Sequence, residues 1–346
     1  MGNNVSSTIS AKARRRRFKL SSRSSAASLS TTTSLSTTLS SDTKTSSGKG
    51  SVTSDGYNDG ISKVLDADNE KLLDYFHIMH YMLKNSWNVS KRGGSEERTD
   101  GNFSAPLQEE LKSGITVLDV GCGPGTWILD MASTFMRSNF IGIDISPAYP
   151  TQIKPANTEF LTCDVLEGLP FEDDFFDFVY LRFLNKAFTR EEWDTTLLNE
   201  LLRVTKPGGW IETMEQGVEV IDPTPTLAIT WKAGRQLLED RGVFVGLAYE
   251  LEHLLNAHPQ TSKAVMEEIE HKVGPWGGKD GEIWASHLIQ SLEAASPSII
   301  DHLKWTSEEY QVFWKDYVKQ LNDPKCRTKT TTYRVFCQKR NYDEKA

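Results

Sequence analysis

No stretch of this sequence holds the ~18–20 consecutive apolar residues that a membrane-spanning helix needs. No apolar segment follows the basic cluster near the start, where a secretory signal would carry one; Ser and Thr stand there instead. Cysteine is scarce: Cys122, Cys163, Cys326 and Cys337 form no Cys-x-x-Cys pair and no Cys/His cluster with zinc spacing, so no metal site is expected. All four are read as reduced thiols, which suits the cytoplasm or nucleus. Internal repeats are absent. An overall excess of positive charge is lacking too, with 39 Lys+Arg against 47 Asp+Glu and a net of −8. Residues 1–60 hold nine Lys/Arg and three Asp, a net of +6, so residues 61–346 carry the difference between −8 and +6, which is −14. An acidic body excludes a broad nucleic-acid surface, which would need Lys and Arg to neutralise phosphates.

What is present begins with a tail. Residues 1–60 are rich in Ser and Thr and lack hydrophobic periodicity. They cannot bury enough apolar surface to offset the entropy of ordering, so disorder is expected. The start, Met1-Gly2-Asn3-Asn4-Val5-Ser6, fits the pattern for N-myristoylation of Gly2. Arg14-Arg15-Arg16-Arg17-Phe18-Lys19 supplies a basic run. One acyl chain holds a membrane weakly, whereas a chain plus a polybasic patch holds it stably, so peripheral membrane contact through Gly2 and Arg14–Lys19 is one expectation. The same run also fits a nuclear import signal.

From about Asp66 a helix is expected, because Leu72, Leu73, Phe76, Met79, His80 and Leu83 recur at three- and four-residue spacing. Residues 90–101 read as an exposed loop. The chain therefore divides into the tail 1–60, an N-terminal helix and loop 61–102, and an α/β domain 103–346. Within the last, strands are expected at Ile115–Val120, Phe140–Ile145, Glu159–Cys163, Phe178–Leu181, Trp210–Met214, Ile269–Val273 and Thr330–Gln338. Helices are expected near Trp127–Ser133, Glu192–Val204, Leu227–Glu239, Ala248–Ala257, Glu282–Ala294 and Ser307–Leu321. Strands alternating with helices imply parallel pairing through right-handed crossovers, a doubly wound Rossmann-like sheet.

The chemistry centres on Val117-Leu118-Asp119-Val120-Gly121-Cys122-Gly123-Pro124-Gly125-Thr126-Trp127. A buried strand enters a turn with three glycines and leaves it as a helix. Glycine permits φ > 0 and close approach of a ligand to the backbone, and this point of such a sheet is the ligand crevice. A dinucleotide fingerprint wants its third glycine at position 126, where Thr stands, so an NAD-dependent oxidoreductase is disfavoured. Asp144 closes the second strand, followed by Ile145, and can accept from both hydroxyls of a ribose; the plainer alternative is a cap or turn Asp. Asp164 closes the third strand and can accept an adenine amino proton while Val165 packs on the ring; the alternative is again a turn residue. Asp119 either fixes the turn amides or faces the ligand's amine.

The strings VLDVGCGPGTW, FIGIDISP, FLTCDVLEGLPFEDDFFDFVYLRFL and LLRVTKPGGWIETME resemble class I S-adenosylmethionine-dependent methyltransferases, and more closely the fungal LaeA-like methyltransferases. The resemblance covers about residues 66–340 and implies a seven-stranded sheet with its last strand inserted antiparallel. It implies S-adenosyl-L-methionine as cofactor, with Asp119, Gly121, Cys122, Gly123, Gly125, Asp144, Ile145, Asp164, Val165 and Arg182 as the binding residues. The activity implied is methyl transfer to an unidentified small molecule or protein. The alternative is a cofactor-binding regulatory subunit that works through a protein partner. One departure is that the Glu70–His80 helix lacks the family's usual arginine, and another is that residues 90–100 are an insertion.

Methyl transfer is an in-line displacement in which alignment supplies much of the acceleration. Arg182, Asn185, Glu212 and Glu215 fall near the crevice, and His77 and His80 on the N-terminal helix, but no catalytic base is assigned. A packed or capped role is favoured for both histidines. Trp127, Phe183 and Trp210 are read as acceptor-pocket or core residues. Glu172-Asp173-Asp174 and Asp177 are read as a solvated loop.

Overall fold

The computed structural model describes residues 70–90 and 101–341. The tail, Gly2, Arg14–Lys19 and the loop 91–100 lie outside the described residues. Fully apolar strands need cover on both faces, and the β-branched and aromatic runs here receive it. Strand β1 (Thr116–Val120) is followed by helix α3 (Thr126–Thr134) and β2 (Asn139–Asp144), then β3 (Thr158–Thr162) and β4 (Phe176–Arg182). Helix α1 (Glu70–Ser90) and a short α2 (Gln108–Ser113) precede them. After β4 come α4 (Leu198–Val204), β5 (Thr205–Ile221), α5 (Pro225–Glu239), α6 (Leu247–Ala257), β6 (Val265–Lys272), α7 (Gly278–Leu303), α8 (Ser307–Leu321) and β7 (Lys329–Gln338).

The seven strands form one sheet in the order β3-β2-β1-β4-β5-β7-β6. The first five pair parallel, and β7 runs antiparallel to both β5 and β6. This is the seven-stranded, mostly parallel sheet with an antiparallel last strand that the family resemblance implies. The period-two geometry of β4 divides its side chains: Phe178 and Tyr180 enter one core, Val179 and Leu181 the other. The first core is completed by α1, α3, α5, α7 and α8, the second by α4 and α6. Trp127 of α3 stacks on Tyr180 at 4.1 Å between ring centroids, and such pairs add about 0.5–1.5 kcal/mol beyond area burial. Trp127 is therefore core. Trp210 also packs away from the crevice, against Phe336 of β7.

Two elements depart from expectation. Helix α7 continues past Ala294 through Pro297 to Leu303. A proline cannot donate to the carbonyl four residues back; here the Ser296 hydroxyl donates to that carbonyl, Glu293 O, at 2.7 Å. Strand β6 starts four residues earlier than expected, at Val265, because it is the sheet's edge and its Glu267, Glu268 and Glu270 mask the strand pattern. The acidic segment after β3 is also more than a solvated loop. Asp173 pairs with Arg203, Asp174 with Lys339 and Asp177 with Lys206, at 2.6–2.8 Å. Among the described residues no helix is long and apolar enough to cross a membrane, and no three His, Cys, Asp or Glu side chains are placed to hold a metal ion.

Candidate functional site

The carboxyl ends of β1, β2 and β4 meet at the turn 121–125. Gly121 and Cys122 both donate from the backbone to Ile143 O, at 2.8 and 2.9 Å, which presses the turn against β2. The φ angles of Gly121, Gly123 and Gly125 are 70, 54 and 74°, a conformation L side chains rarely adopt. A Cβ at Gly121 would lie 2.7 Å from Leu184, and one at Gly125 would lie 2.7 Å from Phe160. Gly121→Ala is therefore expected to cost roughly 1–2 kcal/mol of stability, measured by denaturant unfolding, from the left-handed backbone alone.

Asp144 ties this turn to β2. One carboxylate oxygen accepts from Gly123 N and the other from Ser146 N, each at 2.8 Å. Burial raises its pKa and these bonds oppose the rise. Arg182, at the end of β4, stands on the other side of β1. Between them opens a cleft of about 1000 Å3 of empty space, continuous with solvent. Gly121, Cys122, Gly123, Asp144 and Arg182 all line it, with Pro124 and Thr126. Helix α1 contributes Phe76, Met79, His80 and Leu83, and the segment after β4 contributes Phe183, Leu184, Asn185 and Lys186. Gln216 of β5 and His287 of α7 close the far side.

The other expected binding residues are not among those that line this cleft. Asp119 is buried beneath the turn, and desolvation pushes its pKa up to about 8, with Arg182 opposing and Asp144 reinforcing the rise. Asp164 caps the 3-10 turn Val165–Glu167, accepting from Leu166 N at 2.9 Å. Val165 is buried and Ile145 is exposed, and neither they nor Gly125 form the cleft wall. Glu212 and Glu215, expected near the crevice, are fully buried and serve backbone amides. Glu212 accepts from Ser104 N and Ala105 N, and Glu215 from Leu184 N and Asn185 N. Glu215 thus braces the segment in which Phe183 adopts φ 59°.

Helix α1 is fastened by polar contacts the sequence does not announce. Asp130 of α3 takes Lys84 Nζ and Asn102 Nδ2, each at 2.6 Å, and lies 3.2 Å from His80 Nε2. His77 Nδ1 is 2.7 Å from Thr126 Oγ1. Both histidines are thus held by side-chain partners, and burial lowers the His80 pKa to about 4. Gln216 and His287 went unsuspected because they come from elements 71 residues apart; they meet through Oε1 and Nε2 at 3.3 Å.

Residues 117–209, from β1 into β5, match the family described as a methyltransferase domain. That segment of the chain is similar to a methyltransferase domain. The sheet order and the glycine turn agree with the class I fold and the S-adenosyl-L-methionine site that the resemblance implies. The N-methyltransferase verN of Clonostachys rogersoniana is 33% identical over 165 residues, 46% of this chain and 53% of that protein. The secondary metabolism regulator LAE1 of Cochliobolus heterostrophus is 31% identical over 116 residues, 33% of this chain and 37% of that protein. The chain spans about half the length of the first curated relatives it matches. Among solved structures, phosphoethanolamine N-methyltransferase 2 of Haemonchus contortus, in complex with S-adenosyl-L-methionine, is similar with a TM-score of 0.43. The likeness has 16% identity and covers 77% of this chain and 57% of that one.

The cleft fits S-adenosyl-L-methionine by its own donors and acceptors. Asp144 offers a carboxylate for a ribose diol, the three glycines of the turn admit close approach, and Arg182 offers a cation for a carboxylate.

Proposed function

We propose that this chain transfers a methyl group from S-adenosyl-L-methionine to an acceptor that enters the cleft beside Phe183, Gln216 and His287. The reading rests on one arrangement: a carboxylate, Asp144, locked onto the glycine turn, with Arg182 across β1 in the same cleft. The bound cofactor supplies an electrophilic methyl carbon on a positively charged sulfur. The chain's own residues bind and align. Asp144 and the turn hold the nucleoside, with Ile145, Asp164 and Val165 at the adenine side and Asp119 beneath. Phe76, Met79 and Leu83 of α1 give the cleft an apolar wall, and Phe183 lines the acceptor side. The acceptor is a small molecule or a protein side chain.

Calorimetric titration with S-adenosylhomocysteine tests the cofactor part. Micromolar binding is expected in the wild type, weakened at least about tenfold in Asp144→Ala, since a buried charge-assisted contact is worth about 1.5–3 kcal/mol. A folded wild type that gives no heat would sink the proposal.

The likeness to a secondary metabolism regulator favours a second reading, a cofactor-binding subunit that acts through a protein partner. Turnover of any acceptor supports the first. A stable partner complex whose function survives Asp144→Ala supports the second.

A further inference from the structure

A row of three side chains crosses from α3 through α1 to the cleft. Asp130 Oδ2 lies 3.2 Å from His80 Nε2, and His80 Nδ1 lies 3.2 Å from Arg182 Nη1. The partners settle the protonation of the ring. Arginine only donates, so Nδ1 must accept. The ring proton then sits on Nε2 and is donated to Asp130. A neutral imidazole uses both nitrogens in this way, and its nearly complete burial keeps it neutral. Asp130 cannot swing away, because Lys84 and Asn102 hold the same oxygen. A metal-ligating histidine is oriented by a carboxylate behind it; here the oriented group in front is a guanidinium.

The guanidinium faces a cleft whose cationic lining residues, among those described, are Arg182 and Lys186. The α-carboxylate is the one anionic group of S-adenosylmethionine. Asp144 marks the ribose side at the end of β2, and β1 lies between β2 and β4. At about 4.8 Å per strand, the end of β4 is ~10 Å further along the crevice, past the nucleoside. A planar, five-donor group suits a carboxylate at that point better than any other side chain there.

We propose that Asp130 and His80 are positioning residues that aim the Arg182 guanidinium at the α-carboxylate of the bound cofactor. The inference rests on the cofactor reading above, and the two fail in distinguishable ways. Full-length protein is titrated calorimetrically with S-adenosylhomocysteine and with 5′-methylthioadenosine, which keeps the nucleoside and thioether but lacks the amino-acid part. His80→Phe is expected to raise the Kd for S-adenosylhomocysteine about tenfold and to leave that for methylthioadenosine within about twofold. His80→Gln, with one acceptor and one donor, is expected to restore binding to within about threefold of wild type. In an Arg182→Leu background, His80→Phe is expected to cost nothing more. Asp130→Asn keeps the shape without the charge and is expected to show the same selectivity to a smaller extent; it decides the matter if His80→Phe does not fold. Equal losses for both ligands, or additive losses with Arg182→Leu, would overturn the inference and leave the cofactor reading standing. A wild type that binds neither ligand removes both.

Discussion

Asp119→Asn is expected to stabilise the ligand-free protein at pH 8 and to leave it nearly unchanged at pH 4. Asp119 sits at the end of β1, buried beneath the glycine turn, where desolvation pushes its pKa up to about 8. In the unfolded chain the same group titrates near its ordinary value of 3.8. The folded state therefore holds a proton that the unfolded state has released. Stability is fully present at the acid end, is lost as pH rises from about 4, and levels off above about 8. The rise sets an upper bound of roughly 6 kcal/mol, and a loss of about half that is the working expectation once relaxation around the carboxylate is allowed for. An amide cannot ionise, so the variant lacks this loss. Denaturant unfolding of both proteins between pH 4 and pH 9 checks it. Parallel profiles would mean that Asp119 titrates alike in the folded and unfolded chains.

Glu212→Ala is expected to lower stability by about 3–5 kcal/mol, and Tm by on the order of 10 °C. The Glu212 carboxylate is fully buried and accepts from Ser104 N and Ala105 N at 2.8 Å. Its other neighbour is the buried Arg334, with Nε 3.7 Å away. Truncation leaves two amides without their acceptor and a guanidinium without its counter-charge, and each is costly in a low-dielectric interior. Glu212→Gln is expected to lose clearly less, because an amide oxygen still accepts from Ser104 and Ala105. Thermal unfolding monitored by circular dichroism separates the two variants. Equal losses would place the effect in the charge alone.

How far the sequence could be read follows from where each contact originates. The turn 121–125, Asp144 and the strands around them were legible because one contiguous segment carries both the apolar strand and the glycines. Strand β6 was displaced by its edge-strand glutamates, and α7 was cut short because a hydroxyl standing in for a proline's missing N–H leaves no periodic trace. Strand position puts Glu212 and Glu215 on β5, yet neither lines the cleft. Their partners are backbone amides 30 and more residues away in the chain, which no spacing rule exposes. The same holds for Asp130, whose three partners come from α1 and from Asn102. Position along a strand is local information, whereas the direction and partner of a buried side chain are set by tertiary packing.

The contacts of Arg334 impose an order of assembly during synthesis. From β7 its guanidinium reaches Gly101 O, Ser104 Oγ and the face of the Trp87 ring. The helix that walls the cleft precedes every other described element in the chain, yet one of its fastenings is translated more than 240 residues after Trp87. At about 5–20 residues per second, α1 waits on the order of ten seconds or longer for that partner. During that interval the glycine turn and Asp144 can already be in place while the cleft stands open on one side. A nascent chain stalled before β7 should therefore expose the apolar face of α1, Met79, Met82 and Leu83 among it, to chaperones.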